Sequence, residues 1–374
     1  MDFEPGEDQV LLRESVERCL AETYGFEVRR AIVRAGGFDP TQWQRFATMG
    51  WLGTALPDAL GGIDGGAEEL ALVHEALGRA LVLEPVAAVA TLAAQTLRHA
   101  DAARARELLP ALVAGERIVV LAHHENGAAG RLAHVAARVE ASDGGVGLSG
   151  HKCLLPGGTR AESFIVSARE PGRGSDEAAL SLFLVPCDTP GLRRHDYRLI
   201  DGSSACDLVL ENVRLDDAAR LGPAGGGLAA LDEAHALATV AALAEAVGVM
   251  DRAVSTTRGY LLDRRQFGMA IAGFQALRHR LADMVIALEQ SRAMLQHALH
   301  ALHDGDRPRR CRSLALAKAL VGRNGRFVGA QAIQLHGGIG MTDEYPIGHC
   351  FKRLMVLDRW LGDADTLWGV ASET

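Results

Sequence analysis

The chain has 374 residues, 48% of them hydrophobic and 23% charged, with a formal net charge of −8; this exceeds one ordinary core and predicts two or three globular domains. The negative balance, with no basic stripe, argues against nucleic acid as a bulk partner, and no apolar run approaches the roughly 20 residues that span a membrane. The six cysteines (Cys19, Cys153, Cys187, Cys206, Cys311 and Cys350) show no CxxC or CxxH spacing, so they read as reduced thiols of a cytoplasmic protein without a zinc site.

The acidic start, residues 1–12, lacks the pattern of a signal peptide. Residues 8–24 then place Val10, Leu11, Val16, Cys19 and Leu20 on one stripe, the spacing of an amphipathic helix. A second helix is expected over 41–49, with Thr41 as its N-cap and Gly50 as its stop. A glycine-rich turn at 57–66 separates it from helices over 68–81 and 101–116. Near residue 118 the pattern changes to short Val-, Leu- and Ile-rich runs at 117–123, 134–141, 146–155, 163–169, 180–186 and 206–215. Gly, Pro and Asp clusters separate them, which predicts an antiparallel β-domain. The basic stretch at 193–202 reads as a solvated β-loop. Ala224–Gly227 marks a junction, after which 229–262, 274–303 and 312–336 predict long helices that are apolar on several sides and therefore buried against one another. The expected fold is α+β: an N-terminal helical domain (1–117), a middle β-domain (118–225) and a C-terminal four-helix bundle (226–374).

Three stretches stand out chemically. Arg264-Arg265-Gln266-Phe267-Gly268 ends a long helix; its arginines complement the helix dipole or bind phosphate in a fork. Gln275 stands near the start of the next helix, either solvated or aimed at a ligand. Residues 334–340, QLHGGIG, follow a helix with bare backbone at Gly337 and Gly338, which suits either a tight corner or the close approach of a phosphate or flat ring.

Taken in order, these stretches resemble the acyl-CoA dehydrogenase family across essentially the whole chain. PDALGG (57–62), ENVRL (211–215), RRQFG…FQALRHRLADM and QLHGGIGMTDEYP are similar to its signatures. AEAVGVMD, GRFVGAQAIQLHGGIGMT, GHCFKRL and GDAD resemble more narrowly the pimeloyl-CoA dehydrogenase small-subunit type. The resemblance implies a dimer of dimers, an acyl-CoA substrate, an electron-transfer flavoprotein as acceptor, and FAD lying across a subunit interface. It further implies that Arg264 contacts the pyrophosphate and Phe267 the adenine end. Gln275 serves the same half, and Gln334, Gly337 and Gly338 line the cofactor from the neighbouring subunit.

The family reaction needs a glutamate base with a raised pKa. Its two family positions fall here on Leu361 and Ala238, and neither carries a carboxylate. Glu245, two helical turns beyond Ala238, is the nearest replacement: a base, or a structural acid paired with Arg264 or Arg278. Asp363 and Asp365 lie in an acidic, solvated loop. The segments that hold the flavin ring also depart from the family: only Glu125 of one remains, with His124 beside it, and Leu154 and Pro156 stand in the other. The family arginine after the helix-borne base falls on Thr239. These departures leave three readings: a supporting subunit that completes a partner's FAD site, a self-sufficient enzyme using Glu245, or a flavin-free acyl-CoA-binding protein. The subgroup resemblance suggests an acyl-CoA with a second carboxylate.

Overall fold

The computed structural model describes residues 6–128, 131–142, 145–171 and 179–373. Ala129 and Gly130, at the end of the altered ring-holding stretch, lie outside them.

Helix α1 (Glu7–Thr23) buries Val16 and Leu20, and α2 (Phe26–Arg34) follows. In α3 (Pro40–Thr48) the N-cap is Asp39, not Thr41: the Asp39 carboxylate accepts from the Thr41 amide at 2.8 Å, and Pro40 takes the first helical position. Proline suits that place because its missing N–H is one that the helix leaves unpaired anyway. Gly50 ends the segment as expected. Single 3₁₀ turns at Trp51–Gly53 and Asp58–Leu60 lead to α4 (Ala67–Ala80). A π-helical segment (Ala87–Ala93) continues into α5 (Ala94–Ala100), and Asp101 caps α6 (Ala102–Val113).

Eight strands follow: β1 (Val119–Ala122), β2 (Arg138–Ser142), β3 (Gly145–Pro156), β4 (Ser163–Arg169), β5 (Leu180–Pro186), β6 (Leu192–Arg198), β7 (Ser204–Leu215) and β8 (Arg220–Leu221). They form one sheet in the order β6-β7-β3-β2-β4-β5-β8, with β1 beside β4. Most pairs are antiparallel, but β1 runs parallel to β4, and β2 touches β4 in parallel, which corrects the wholly antiparallel expectation. The basic stretch read as a loop is strand β6, paired along β7. Its mostly exposed charges suit a sheet edge, where they discourage further strand pairing.

The C-terminal helices are α7 (Gly227–Asp263), α8 (Gln275–Ala301), α9 (Arg307–His336), α10 (Pro346–Arg359) and α11 (Ala364–Glu373). A two-stranded hairpin, β9 (Arg265–Gln266) with β10 (Met269–Ala270), joins α7 to α8. The paired arginines therefore do not end the helix: α7 stops at Asp263, and Arg265 belongs to the hairpin. Contacts divide the chain into two compact units, Met1–Ala31 with Ala67–Val82 and Thr239–Thr374, and Ile32–Gly66 with Leu83–Ala238. In the first, α4 crosses α7 closely. A Cβ built on Gly78 would land on the Glu245 carbonyl, and one on Gly248 would land on the Glu75 carbonyl. Glycine at both places lets backbone meet backbone, so the α7 stretch Ala241–Ala244 is buried on all sides.

Candidate cofactor site and candidate base

The last turn of α7, the first of α8 and the last of α9 meet at one end of the bundle. The Tyr260 hydroxyl of α7 donates to the His336 carbonyl of α9 at 3.3 Å, and the two rings stack at 4.4 Å. Arg280 of α8 reaches Gln331 of α9 at 3.5 Å. All six residues singled out for the cofactor are therefore brought to this end: Arg264 just past α7, Phe267 in the hairpin turn, Gln275 opening α8, Gln334 closing α9, and Gly337 and Gly338 beyond it. All six are exposed. Among the described residues, the side chains of Arg264, Gln275 and Gln334 have no hydrogen-bonding or ionic partner within the chain.

Phe267 carries the clearest local signal. It is 90% exposed and sits at φ +53° in the two-residue turn between β9 and β10, with Gly268 at φ +80°. Such turns prefer Asn-Gly, and a bulky aromatic in the left-handed region is strained. Its ring meets Phe274 edge-on with centroids 6.0 Å apart, yet neither burial nor turn propensity explains a phenylalanine there. Gly337 has φ +63° and ψ −139°, a region essentially reserved for glycine. A Cβ on Gly338 would meet nothing of this chain within 4 Å, so the chain's own packing does not demand glycine at 338. A guanidinium, two amides, bare backbone and an exposed ring make a donor set that fits a cofactor with a pyrophosphate and a flat base.

Glu245 lies elsewhere in the same unit and is 4% exposed. Its partner is neither Arg264 nor Arg278 but Arg353 of α10, whose Nε donates to Oε1 at 2.6 Å, with Nη2 at 2.5 Å. His74 of α4 is buried nearby; burial first, then the Arg353 charge, pushes its pKa down to about 3 and keeps it neutral. Arg353 stands 108 residues from Glu245, and no local pattern announces such a pair.

The second family position for a base, Leu361, has φ +64° and precedes Gly362 at φ +100°. The turn is held from beneath by Lys318 of α9. Its buried ammonium donates to the carbonyls of Leu357, Asp358 and Gly362 at 2.9, 3.1 and 3.2 Å, and burial lowers its pKa to about 8. Asp363 is engaged rather than free in solvent: it pairs with Arg359 at 2.7 Å and caps α11 through the Thr366 amide at 2.8 Å. Asp365 is exposed and lies 3.5 Å from Arg326.

In the sheet unit the altered ring-holding segments are tied to each other. Lys152 of β3 is fully buried, with its ammonium 2.6 Å from Glu125, 3.0 Å from Ser167 Oγ and 3.4 Å from the His123 carbonyl. Glu125 also accepts from the Ala136 and Ala137 amides at 2.6 and 3.1 Å; despite burial, Lys152 and these amides hold its pKa below the usual carboxylate range. Leu154 stands at φ +52°, at an irregularity in the β3–β7 register, and its amide donates to Asp207 at 3.0 Å. Tyr197 donates to the same carboxylate oxygen at 2.7 Å. Asp207, Lys152 and Ser167 were not singled out from the sequence; the one available hint is a lysine inside a predicted strand run.

Three family models cover almost the whole chain: the N-terminal domain of acyl-CoA dehydrogenase over 6–116, the middle domain over 121–213 and the C-terminal domain over 225–373. The cyclohex-1-ene-1-carbonyl-CoA dehydrogenase of Geobacter metallireducens is 30% identical over 306 residues, covering 80% of each chain. The chain belongs to the acyl-CoA dehydrogenase family, a family of oxidoreductases. Among solved structures, a variant of the Tcur3481-Tcur3483 steroid ACAD is 31% identical with a TM-score of 0.88, over 98% of this chain and 97% of that one. PigA, solved with FAD and proline, is 25% identical with a TM-score of 0.90, over 100% and 98%. Among the described residues no helix is long and apolar enough to cross a membrane, and no cluster of His, Cys, Asp and Glu is arranged to hold a metal.

Proposed function

We propose that this chain is a subunit of a tetrameric, FAD-dependent acyl-CoA dehydrogenase that oxidises the α,β-bond of an acyl-CoA thioester. The carrying observation is the end of the bundle, where the side chains of Arg264, Gln275 and Gln334 have no partner among the described residues and Gly337 and Gly338 are exposed beside them. Family membership and the FAD complex of PigA support the same reading. FAD, when bound, supplies the hydride acceptor. This chain's residues hold its adenosine-diphosphate half: Arg264 by a charge-assisted contact to the pyrophosphate, Phe267 beside the adenine, and Gln275, Gln334 and the two glycines through amide donors and close approach. The subgroup resemblance supports a dicarboxylyl-CoA such as pimeloyl-CoA as substrate and an electron-transfer flavoprotein as acceptor. The change from helix to strand at Val119, and back to helix at Gly227, supports a division into segments 1–117, 118–225 and 226–374.

A second reading is that the chain is a supporting subunit, which completes the FAD site of a catalytic partner chain in a mixed tetramer. The pairing of Glu245 with Arg353 favours it, because a buried carboxylate oxygen held by two guanidinium donors is committed to that contact. Leu361 and Ala238, the two family positions for the base, are apolar. The steroid ACAD designated by a pair of names, Tcur3481-Tcur3483, is consistent with a two-chain assembly.

A visible absorption spectrum of the chain purified alone, before and after adding an acyl-CoA, separates the readings. A yellow protein that bleaches supports a self-sufficient enzyme and returns Glu245 as its base. A colourless protein that becomes yellow only when produced with a related chain supports the half-site. A colourless protein in both settings overturns the flavoprotein reading.

A further inference from the structure

We infer that His349 is a positioning residue for the proposed FAD site: a neutral imidazole protonated on Nε2 alone, it ties the backbone before Tyr345 to the buried Arg29, and its protonation releases that tie. The functional half of this inference rests on the reading above, that this end of the bundle holds FAD.

The geometry determines the tautomer. Arg29 of α2 is fully buried; its Nε donates to the Leu81 carbonyl at 2.9 Å, and its Nη1 lies 2.8 Å from His349 Nδ1. A guanidinium has donors and no acceptor, so Nδ1 must offer a lone pair. The one ring proton then sits on Nε2, which donates to the Asp343 carbonyl at 3.0 Å. Phe26 closes the ring's flank edge-on, with centroids 5.1 Å apart.

That carbonyl belongs to the segment that follows the two exposed glycines. The segment is anchored at its start by Tyr260, stacked on His336 and bonded to the His336 carbonyl. It is anchored at its far side by His349, in the first turn of α10. Between the anchors lies the short 3₁₀ turn Gly337–Met341, which carries two of the six cofactor positions and begins three residues after a third, Gln334. Fixing both ends presents the exposed glycine backbone without an ordering cost when the ligand arrives.

The charged groups facing His349 are Arg29 from α2, Lys352 from its own helix and the Asp343 carboxylate from the segment. Lys352 also pairs with Asp343 at 3.1 Å, and Arg30 lies 3.9 Å from Glu344. Burial, foremost, and the two cations disfavour the imidazolium, while the Asp343 carbonyl and carboxylate favour it; the pKa lies below the ordinary histidine value. When the ring takes a second proton, Nδ1–H meets the guanidinium donor to donor, charge to charge. The tied state excludes that proton and the released state accepts it at about 6.5. The tie is therefore intact above about pH 6.5 and is lost as pH falls through the lowered value, weakening flavin retention by up to about tenfold per pH unit.

Two measurements test this. Long-range ¹H–¹⁵N spectra of histidine-labelled protein, assigned by the signal lost in His349→Gln, should find His349 neutral and protonated on Nε2 at pH 7. An Nδ1–H tautomer or an imidazolium there overturns the strut, with or without flavin. Flavin dissociation is then followed from pH 7.5 to 5.5 in wild type and His349→Gln, each with its partner chain if flavin requires one. The glutamine accepts from Arg29 and donates to Asp343 but does not titrate. The variant should bind within a few-fold of wild type at pH 7.5 and lose much less affinity by pH 5.5. His336 titrates in both proteins, so the difference belongs to His349. Parallel pH profiles overturn the inference. If neither protein binds flavin at any pH, the flavoprotein reading has failed, and the spectra still decide the strut.

Discussion

At the end of the bundle Arg264, Gln275 and Gln334 stand in solvent without a side-chain partner among the described residues, while in the sheet Lys152, Glu125, Ser167 and His123 satisfy one another in the interior. The difference between the two regions separates two uses of polar groups. A buried ion must find its partners within the fold, because desolvation leaves it no alternative. An exposed guanidinium without a counter-ion contributes nothing to folding and is free to meet a phosphate. Glu245 falls on the first side of this division through Arg353, and His349 links the two, since its internal partners present a surface that faces outward.

The strongest test of the contrast is Lys152→Met. It leaves the Glu125 carboxylate buried without its cation, and stability by urea denaturation should fall by about 3–5 kcal/mol. A loss under about 1 kcal/mol would mean that water reaches the pair and that the sheet region is as open as the bundle end. Acid provides a second test: His74, held neutral down to about pH 3, and His123, whose pKa lies well below its usual value because of burial and then the Lys152 charge, are both depressed in the fold. The unfolded chain takes up these protons near pH 6.5, so stability should fall as pH drops below that value, by up to about 1.4 kcal/mol per pH unit for each histidine. His74→Gln, compared with wild type between pH 7 and 4, should show a shallower decline; an equal decline would remove His74 from the account.

Glu245→Gln discriminates within the bundle. Leaving Arg353 with a neutral acceptor should cost about 1.5–3 kcal/mol, seen as a lowered melting temperature. Unchanged melting with lost turnover would instead make Glu245 the base and overturn its structural assignment. Arg264→Ala sits at the other extreme. Its melting temperature without ligand should stay within the ±0.5 kcal/mol typical of surface changes, while flavin affinity drops roughly tenfold to a hundredfold through the lost charge-assisted contact. Flavin content equal to wild type would withdraw the pyrophosphate assignment.

Much of the architecture was legible because periodicity is local. Val16 and Leu20 announce α1, and the short apolar runs at 163–169 and 180–186 announce β4 and β5. The Ala- and Leu-rich run over 229–262 reports the all-round burial of the middle of α7 before any partner is known. Where the reading slipped, a neighbour decided: Asp39 outcompeted Thr41 as cap of α3, β6 was recruited by β7 despite its charges, and β1 found a parallel partner in β4, which no local pattern encodes.

The site divides along the same line. The glycines at 337 and 338, Arg264 and Gln275 could be named from the sequence because their chemistry is a property of the residue and its immediate neighbours. That all six positions share one end of the bundle depends on how α7, α8 and α9 pack, and that Phe267 is strained and bare depends on the hairpin. The sequence by itself determined the family, the order of helices and strands, and the residue types offered to the cofactor. Only the tertiary structure decided that Glu245 answers to Arg353, Lys152 to Glu125 and His349 to Arg29. These partners lie 108, 27 and 320 positions apart along the chain, and electrostatic pairing in a dry interior depends on distance through space, which no local pattern records.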